Sequence, residues 1–243
     1  MIKKHISMVV IALGLLVGCQ STPSQERRDH DDVTRMERVK NYDGLIEHYK
    51  AKLEQRADDS IVEEKLAQAY FKKGDIESAS FYVQHLKKKG IDTPSLHQLE
   101  GQVFDANDDT ENAISAYLAS IQKGNNSAYI YILLGVSYAK IGQYDAAYEA
   151  MGNARLRGYD DLAVKNNIAM IHIANSEYDK AIKILVPVLK DHPSNLVVKS
   201  NLAIALIKNN QTEMAKQLLE NDFSSRELNE IATELTQLRE GHE

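Results

Sequence analysis

Small side chains recur every 34 residues along this chain, and no insertion or deletion interrupts the spacing. Two columns of alanine or glycine carry the period, and each column has five members. They are Ala67, Gly101, Gly135, Ala169 and Ala203, and then Ala79, Ala113, Ala147, Ala181 and Ala215. Small residues at fixed places predict two helices in close contact within each period. Because one such unit cannot bury its own apolar face, neighbouring units must stack into a solenoid.

The period divides the chain into five full copies. These are residues 60–93, 94–127, 128–161, 162–195 and 196–229. In the copy at 128–161, Leu134 and Tyr138 share one face of the predicted first helix, and Gly135 lets the second helix approach at Ala147. Turn-forming residues recur between the two helices of each copy and predict the breaks there. They are Gly74-Asp75, Asn107-Asp108, Ile141-Gly142-Gln143, Asn175-Ser176 and Asn209-Asn210.

Both ends of the array are less regular than its middle. Residues 26–59 keep the apolar face of a second helix and predict a degenerate sixth copy. Near the carboxyl end, Ser224 and Glu227 fit a capping box and predict a helix over 226–240. Its apolar side chains would cover the exposed face of the last copy. They are Leu228, Ile231, Leu235 and Leu238.

The full pattern resembles the tetratricopeptide repeat (TPR). The copy at 128–161 shows it most completely, through Tyr131, Leu134-Gly135, Tyr138, Gly142, Tyr144, Ala147, Met151 and Ala154. The resemblance implies an all-α fold over residues 32–240, a TPR superhelix (α-solenoid) of five full repeats with a degenerate N-terminal repeat and a C-terminal capping helix. His172 departs from the pattern because it replaces the tyrosine found at Tyr138, and we interpret this histidine as a packing residue rather than a functional one.

The amino terminus has the pattern of an exported lipoprotein. Lys3 and Lys4 precede the apolar stretch 6–16, so residues 1–18 are predicted to be a signal peptide. The sequence 16–19, ending in Cys19, resembles a bacterial lipobox, which implies lipidation of Cys19. An ordinary signal peptide with an incidental cysteine is the alternative. Residues 19–31 are predicted to be the lipidated cysteine and a flexible tether. Gln20, where an aspartate would favour the inner membrane, implies the periplasmic face of the outer membrane.

No pattern of catalytic or cofactor-binding residues accompanies these features. The net charge of −6 argues against a nucleic-acid partner. The histidines lack zinc-site spacing, no phosphate-binding loop is present, and Cys19 is the single cysteine. We therefore expect no enzyme activity, no cofactor, no metal site and no small-molecule substrate.

The resemblance implies that the first helix of each copy lines a concave surface. In the copies at 60 and 94 that surface is polar, whereas the next three copies make it apolar and predict a partner-binding groove. The predicted groove residues are Tyr129, Ile132, Val136, Asn166, Asn167, Met170, Ile173, Asn201, Ile204 and Ile207. Asn167 and Asn201 are expected to bond the backbone of the partner. The alternative is that tight curvature or the terminal helix already buries this apolar stripe.

Lipobox, tether and repeats together resemble the outer-membrane lipoproteins that help to build secretion and pilus machines. The segment 198–203, with Ala215, is most similar to the tight-adherence (Flp pilus) assembly lipoproteins of the TadD family. This resemblance implies a non-enzymatic adaptor, anchored by its N-terminal lipid, that binds a pilus or secretion component such as the secretin. Two alternatives remain open, namely an adaptor for barrel-protein assembly or cell-wall enzymes, and a holdase-like periplasmic chaperone.

Overall fold

The computed structural model describes residues 25–224, 226, 227, 229–231, 233 and 234. Residues 25–224 form twelve helices joined by short turns, and no strand occurs within the described ranges. The helices are α1 (Gln25–Arg38), α2 (Tyr42–Gln55), α3 (Ser60–Lys73), α4 (Ile76–Lys88), α5 (Pro94–Ala106), α6 (Thr110–Gln122), α7 (Ala128–Lys140), α8 (Tyr144–Leu156), α9 (Asp161–Ala174), α10 (Tyr178–Asp191), α11 (Leu196–Lys208) and α12 (Thr212–Leu219). The predicted all-α fold is confirmed.

Each helical hairpin turns at the same place in its copy. The fifteenth residue has a positive φ in all six copies, between 54° and 89°. These residues are Lys40, Gly74, Asp108, Gly142, Ser176 and Asn210. Five of them lie in the breaks that the sequence predicts. The sixth, Lys40, lies between α1 and α2, so the degenerate copy forms the same hairpin as the full copies.

Capping side chains fix where several helices begin. Asp59 accepts from the backbone N–H of Val62, and Asn195 accepts from that of Val198. Thr93 and Ser127 do the same at the start of α5 and α7. An N-terminal cap satisfies a donor that the helix cannot pair internally, which contributes about 1 kcal/mol. The helix starts are therefore encoded locally.

The two columns of small residues lie where the helices touch. All ten residues are buried. A Cβ built on Gly135 would lie 2.7 Å from Cε of Met151 and 3.2 Å from Cβ of Ala150, so α7 and α8 approach too closely for a larger side chain there. The predicted close contact of the two helices is confirmed.

The array curves with its first helices on the inside. The first helices α3, α5, α7 and α9 each contact the next first helix, whereas no second helix within residues 25–224 contacts another second helix. A stack in which only one helix of each pair touches its equivalent must be concave on that side. Among the described residues, no helix combines the length and apolar character needed to cross a bilayer.

The structure corrects the predicted tether. Helix α1 begins at Gln25, so the prediction of a flexible segment is wrong over residues 25–31. The physical reason is a docking face that the sequence hardly shows. Asp29 accepts a hydrogen bond from Lys52, and Val33 and Met36 pack on the apolar side of α2. The signal peptide and Cys19 lie outside the described residues.

The predicted C-terminal helix is described only in part. Its capping box is present, because the Ser224 N–H donates to Glu227 at 2.8 Å and the Glu227 N–H donates to Ser224 Oγ at 3.4 Å. The described residues between 226 and 234 are helical. Three of its four apolar side chains, those of Leu228, Leu235 and Leu238, lie outside the described residues.

Candidate partner-binding groove

The predicted groove residues lie on the three first helices of the C-terminal half, α7, α9 and α11. Tyr129 and Val136 are the most exposed of them, at 42% and 40%. Six others are partly buried: Asn166, Asn167, Met170, Ile173, Asn201 and Ile204. An exposed tyrosine and valine on a helix that is otherwise largely packed leave apolar surface open to a partner.

Two predicted groove residues belong to the core instead. Ile132 is 7% exposed and Ile207 is 6% exposed, and each lies within a buried cluster. Consecutive first helices contact each other on the concave side, and this contact leaves too little space for a partner at these two positions. Ile132 and Ile207 therefore support the groove wall and cannot contact a partner directly.

The two asparagines expected to bind a partner backbone differ in their surroundings. Asn201 Nδ2 donates to Asn166 Oδ1 at 2.8 Å, which joins α9 to α11. This bond uses one of the two amide hydrogens of Asn201 and leaves its Oδ1 available, so the bonding of Asn201 to a partner backbone stays a prediction. Asn167 makes no side-chain hydrogen bond to any described residue. Its amide offers both a donor and an acceptor, and its role in binding stays a prediction.

Sequence reasoning missed one exposed side chain of the groove. Val197 is 63% exposed at the second position of its copy, which is the position that Tyr129 occupies in the copy at 128. The sequence could have indicated Val197, because it occupies the same position in its copy as Tyr129. Tyr129 itself lies where the polar and apolar halves meet, beside Gln102 of the preceding copy. Burial, and then the neighbouring Tyr159, raises the pKa of Tyr129.

The carboxylates of the polar half, Glu64 and Asp105, are engaged within the protein. Glu64 is buried and accepts from Thr93 Oγ1 at 3.0 Å. Asp105 accepts from the hydroxyl of Tyr117 at 2.9 Å, from that of Ser137 at 2.7 Å and from Lys140 Nζ at 2.9 Å. Burial, and then the Asp105 carboxylate, raises the pKa of Tyr117. These carboxylates hold neighbouring helices together and are poorly placed to bind a partner.

His172 joins three helices, in keeping with its interpretation as a packing residue. Its Nδ1 lies 2.7 Å from Oη of Tyr148 and 2.7 Å from Oε2 of Glu177. Lys180 donates to the same carboxylate at 2.6 Å. Lys180, followed by His172, lowers the pKa of Glu177 to about 2. No group of three or more metal-ligating side chains that could hold an ion occurs in the described part of the chain.

Comparisons with known proteins agree with the helical geometry. A family model described as Tetratricopeptide repeat matches residues 172–221. A TPR repeat-containing protein of Methanocaldococcus jannaschii is 24% identical over 157 residues, which is 61% of this chain and 28% of the relative. The chain thus spans little more than a quarter of that relative's length.

Two solved structures have the same arrangement of helices. A chain of the APC/C hetero-tetramer Cut9–Hcn1 has a TM-score of 0.63 and 22% identity, over 70% of this chain and 34% of its own. YrrB, described as a TPR protein with an unusual peptide-binding site, has a TM-score of 0.56 and 15% identity, over 76% of this chain and 97% of its own. Together with the helix pairs and their common turn, these likenesses show that the chain folds as a tetratricopeptide-repeat superhelix.

Proposed function

We propose that this chain is a non-enzymatic adaptor that holds a segment of a partner protein in the apolar half of its concave surface. The observation that carries the proposal is the exposure of Tyr129, Val136 and Val197 on first helices of a repeat array. Apolar side chains left exposed along one surface are typical of an interaction site. YrrB, which shares the fold, is described as having a peptide-binding site, and this supports the same use here.

The groove can recognise both the side chains and the backbone of such a segment. Met170 and Ile204 are partly buried. They offer further apolar surface beside the more exposed side chains of Tyr129, Val136 and Val197. Removing apolar surface from water contributes roughly 25 cal/mol per Å². Asn167 would bond one peptide group of the segment, which would otherwise lose its hydrogen bonds to water on entering the groove.

We also propose that the adaptor is attached to a membrane by lipid on Cys19, at the periplasmic face of the outer membrane. The support is the lipobox-like sequence 16–19, followed by Gln20. Because α1 begins at Gln25, only six residue steps separate Cys19 from the first helix, which reach about 20 Å when extended. Confinement this close to the lipid raises the effective concentration of any partner in the same membrane, so weak groove contacts suffice.

For the assembly served, we propose a Tad/Flp-type pilus or a related secretion machine, with the secretin as the partner. The support is the similarity of residues 198–203 and Ala215 to the tight-adherence assembly lipoproteins. Genes for pilin, prepilin peptidase and secretin beside the gene for this chain would agree with the proposal. Their absence would favour an adaptor for barrel-protein assembly or cell-wall enzymes, or a holdase-like chaperone.

Site-specific photo-crosslinking in intact cells tests the groove. A photoreactive residue replaces Val136 or Val197 in the groove, and Val186, exposed on the second helix α10, is the matched control. We expect one protein to be captured from both groove positions and not from Val186, and Met170→Glu to abolish that capture. Equal capture from Val186, or capture that Met170→Glu leaves unchanged, would contradict the groove.

Metabolic labelling tests the membrane attachment separately. Radiolabelled palmitate should enter the wild-type chain in a bacterial host and should not enter the Cys19→Ala variant. The variant should also leave the membrane fraction, because no other lipid site is proposed. Labelling that persists in Cys19→Ala would show that Cys19 is not the lipidated residue.

A further inference from the structure

A lysine at the thirteenth position of two copies forms an ion pair with the first helix of the preceding copy. Lys72 Nζ lies 3.7 Å from Glu37, and Lys140 Nζ lies 2.9 Å from Asp105. In each pair the carboxylate occupies the twelfth position of its copy, 35 residues before the lysine. Both ion pairs therefore join equivalent places on consecutive first helices.

The same lysine recurs a third time without its carboxylate. Lys208 is the thirteenth residue of its copy, and the residue 35 places before it is Ile173. Helices α9 and α11 contact each other as α5 and α7 do, and Ile173 packs against the core cluster that contains Ile207. Within the described residues, Lys208 makes no ion pair and no side-chain hydrogen bond. With respect to the described residues, the third lysine is thus an unpaired cation at the end of the apolar half.

We propose that the partner segment supplies this missing carboxylate. The inference rests on the proposed function and adds a chemical class to it: the bound segment is apolar and carries one carboxylate, which pairs with Lys208 while neighbouring apolar side chains cover Met170 and Ile204. The predicted groove residues on α9 and α11 are all uncharged, so a second charge on the segment would lose its hydration without compensation there.

A charge-reversal experiment tests the pairing. A phage-displayed library of random twelve-residue peptides is selected on the purified protein, and selected peptides are synthesised with an amidated C-terminus. We expect apolar peptides with a single Asp or Glu. Lys208→Glu should weaken their binding about tenfold, since an attraction becomes a repulsion, and a peptide with lysine in place of the acid should recover it. Lys183→Glu, an equal change at an exposed residue on α10, should leave binding unchanged.

The amidated peptides also separate the two sources of a carboxylate. Binding that survives amidation assigns the charge to a side chain, and binding that amidation abolishes assigns it to a chain terminus; either supports a carboxylate at Lys208. Peptides that bind with neither a side-chain acid nor a free C-terminal carboxylate, or equal affinity for Lys208→Glu, would contradict the pairing without contradicting the groove. A library that yields no binder at all would overturn the groove and the pairing together.

Thermal unfolding of the free protein tests whether a carboxylate of this chain already pairs with Lys208. Lys140→Glu should lower the melting temperature because it breaks the contact with Asp105. Lys208→Glu should leave it nearly unchanged. If both variants lose stability equally, a carboxylate of this chain already pairs with Lys208, and the inference fails.

Discussion

Gly101 shows how one atom sets the spacing of two helices. A Cβ built on this residue would lie 2.4 Å from Cε1 of Tyr117, whose side chain is fully buried. The ring cannot easily withdraw, because its hydroxyl donates to Asp105 at 2.9 Å. The contact between α5 and α6 thus depends on the absence of a side chain, and the same holds for α7 and α8 at Gly135.

Replacing Gly101 by alanine should therefore destabilise the protein. Alanine improves helix propensity by about 1 kcal/mol, but forcing a methyl group into a filled contact costs about 1–3 kcal/mol. We expect Gly101→Ala to lower the free energy of unfolding by about 1 kcal/mol, measured by urea denaturation. Gly152→Ala is the matched control, because no atom outside its own helix lies within 4 Å of the new methyl group. That variant should gain about 0.5–1 kcal/mol. Stabilisation by both variants would contradict the prediction, because it would show that the Tyr117 ring moves to accommodate the new methyl group.

At the scale of helices, the residue types predicted the turns but not every contact between neighbours. Gly74, Gly142 and Asn210 tolerate a positive φ, so the breaks could be placed from the sequence. Asn201, by contrast, pairs with Asn166 at a separation of 35 residues instead of the 34 that the period suggests. Side-chain partners depend on the axial offset between neighbouring helices, and local sequence patterns do not predict that offset.

The start of α1 was missed for a related reason. Residues 25–31 are almost entirely polar and show no helical period, so the sequence favoured a tether. What holds them is a polar contact with the next helix, through Asp29 and Lys52. The first two turns of α1 have no apolar side chain, and sequence-based prediction of a helix depends on an apolar face. The groove was likewise placed on the correct helices, whereas the burial of Ile132 and Ile207 depended on curvature.

The junction of α8, α9 and α10 should weaken in acid. Contacts with Lys180 and His172 lower the pKa of Glu177 to about 2, from an ordinary value of 4.5. A carboxylate with a depressed pKa stabilises the fold above its unfolded pKa, and this contribution is lost as the pH falls from about 4.5 to 2. Glu177→Gln should lower the melting temperature at pH 7, and its difference from the wild type should shrink through that window. Glu149→Gln, an exposed control on α8, should show no such trend. A constant difference across the window would contradict the assignment.

As a whole molecule, the protein is a one-dimensional array without a single central core. Buried clusters follow one another along the chain, and each helix contacts only near neighbours. In such an array, stability is approximately the sum of the units and of the interfaces between them. Among the helices of residues 25–224, we expect those at the two ends to be the least stable, because each has one helical interface fewer. Within this same set of helices, the backbone of α1 lies close only to that of α2, and the backbone of α12 only to that of α11. The one ion pair between α1 and α3, Glu37 with Lys72, adds little to this.

Hydrogen exchange should reveal this arrangement as a gradient of protection. We expect amides of α1 to exchange fastest and amides of α7 and α8 slowest, by at least about tenfold, because opening an end breaks one interface while opening the middle breaks two. Helix α12 should be intermediate, since the predicted helix over 226–240 would cover its outer face. Mass spectrometry of peptic fragments at pH 7 measures the order directly. Equal protection of α1 and α7 would contradict the nearest-neighbour model of stability. If α12 exchanged as fast as α1, only the prediction of a capping helix would be contradicted.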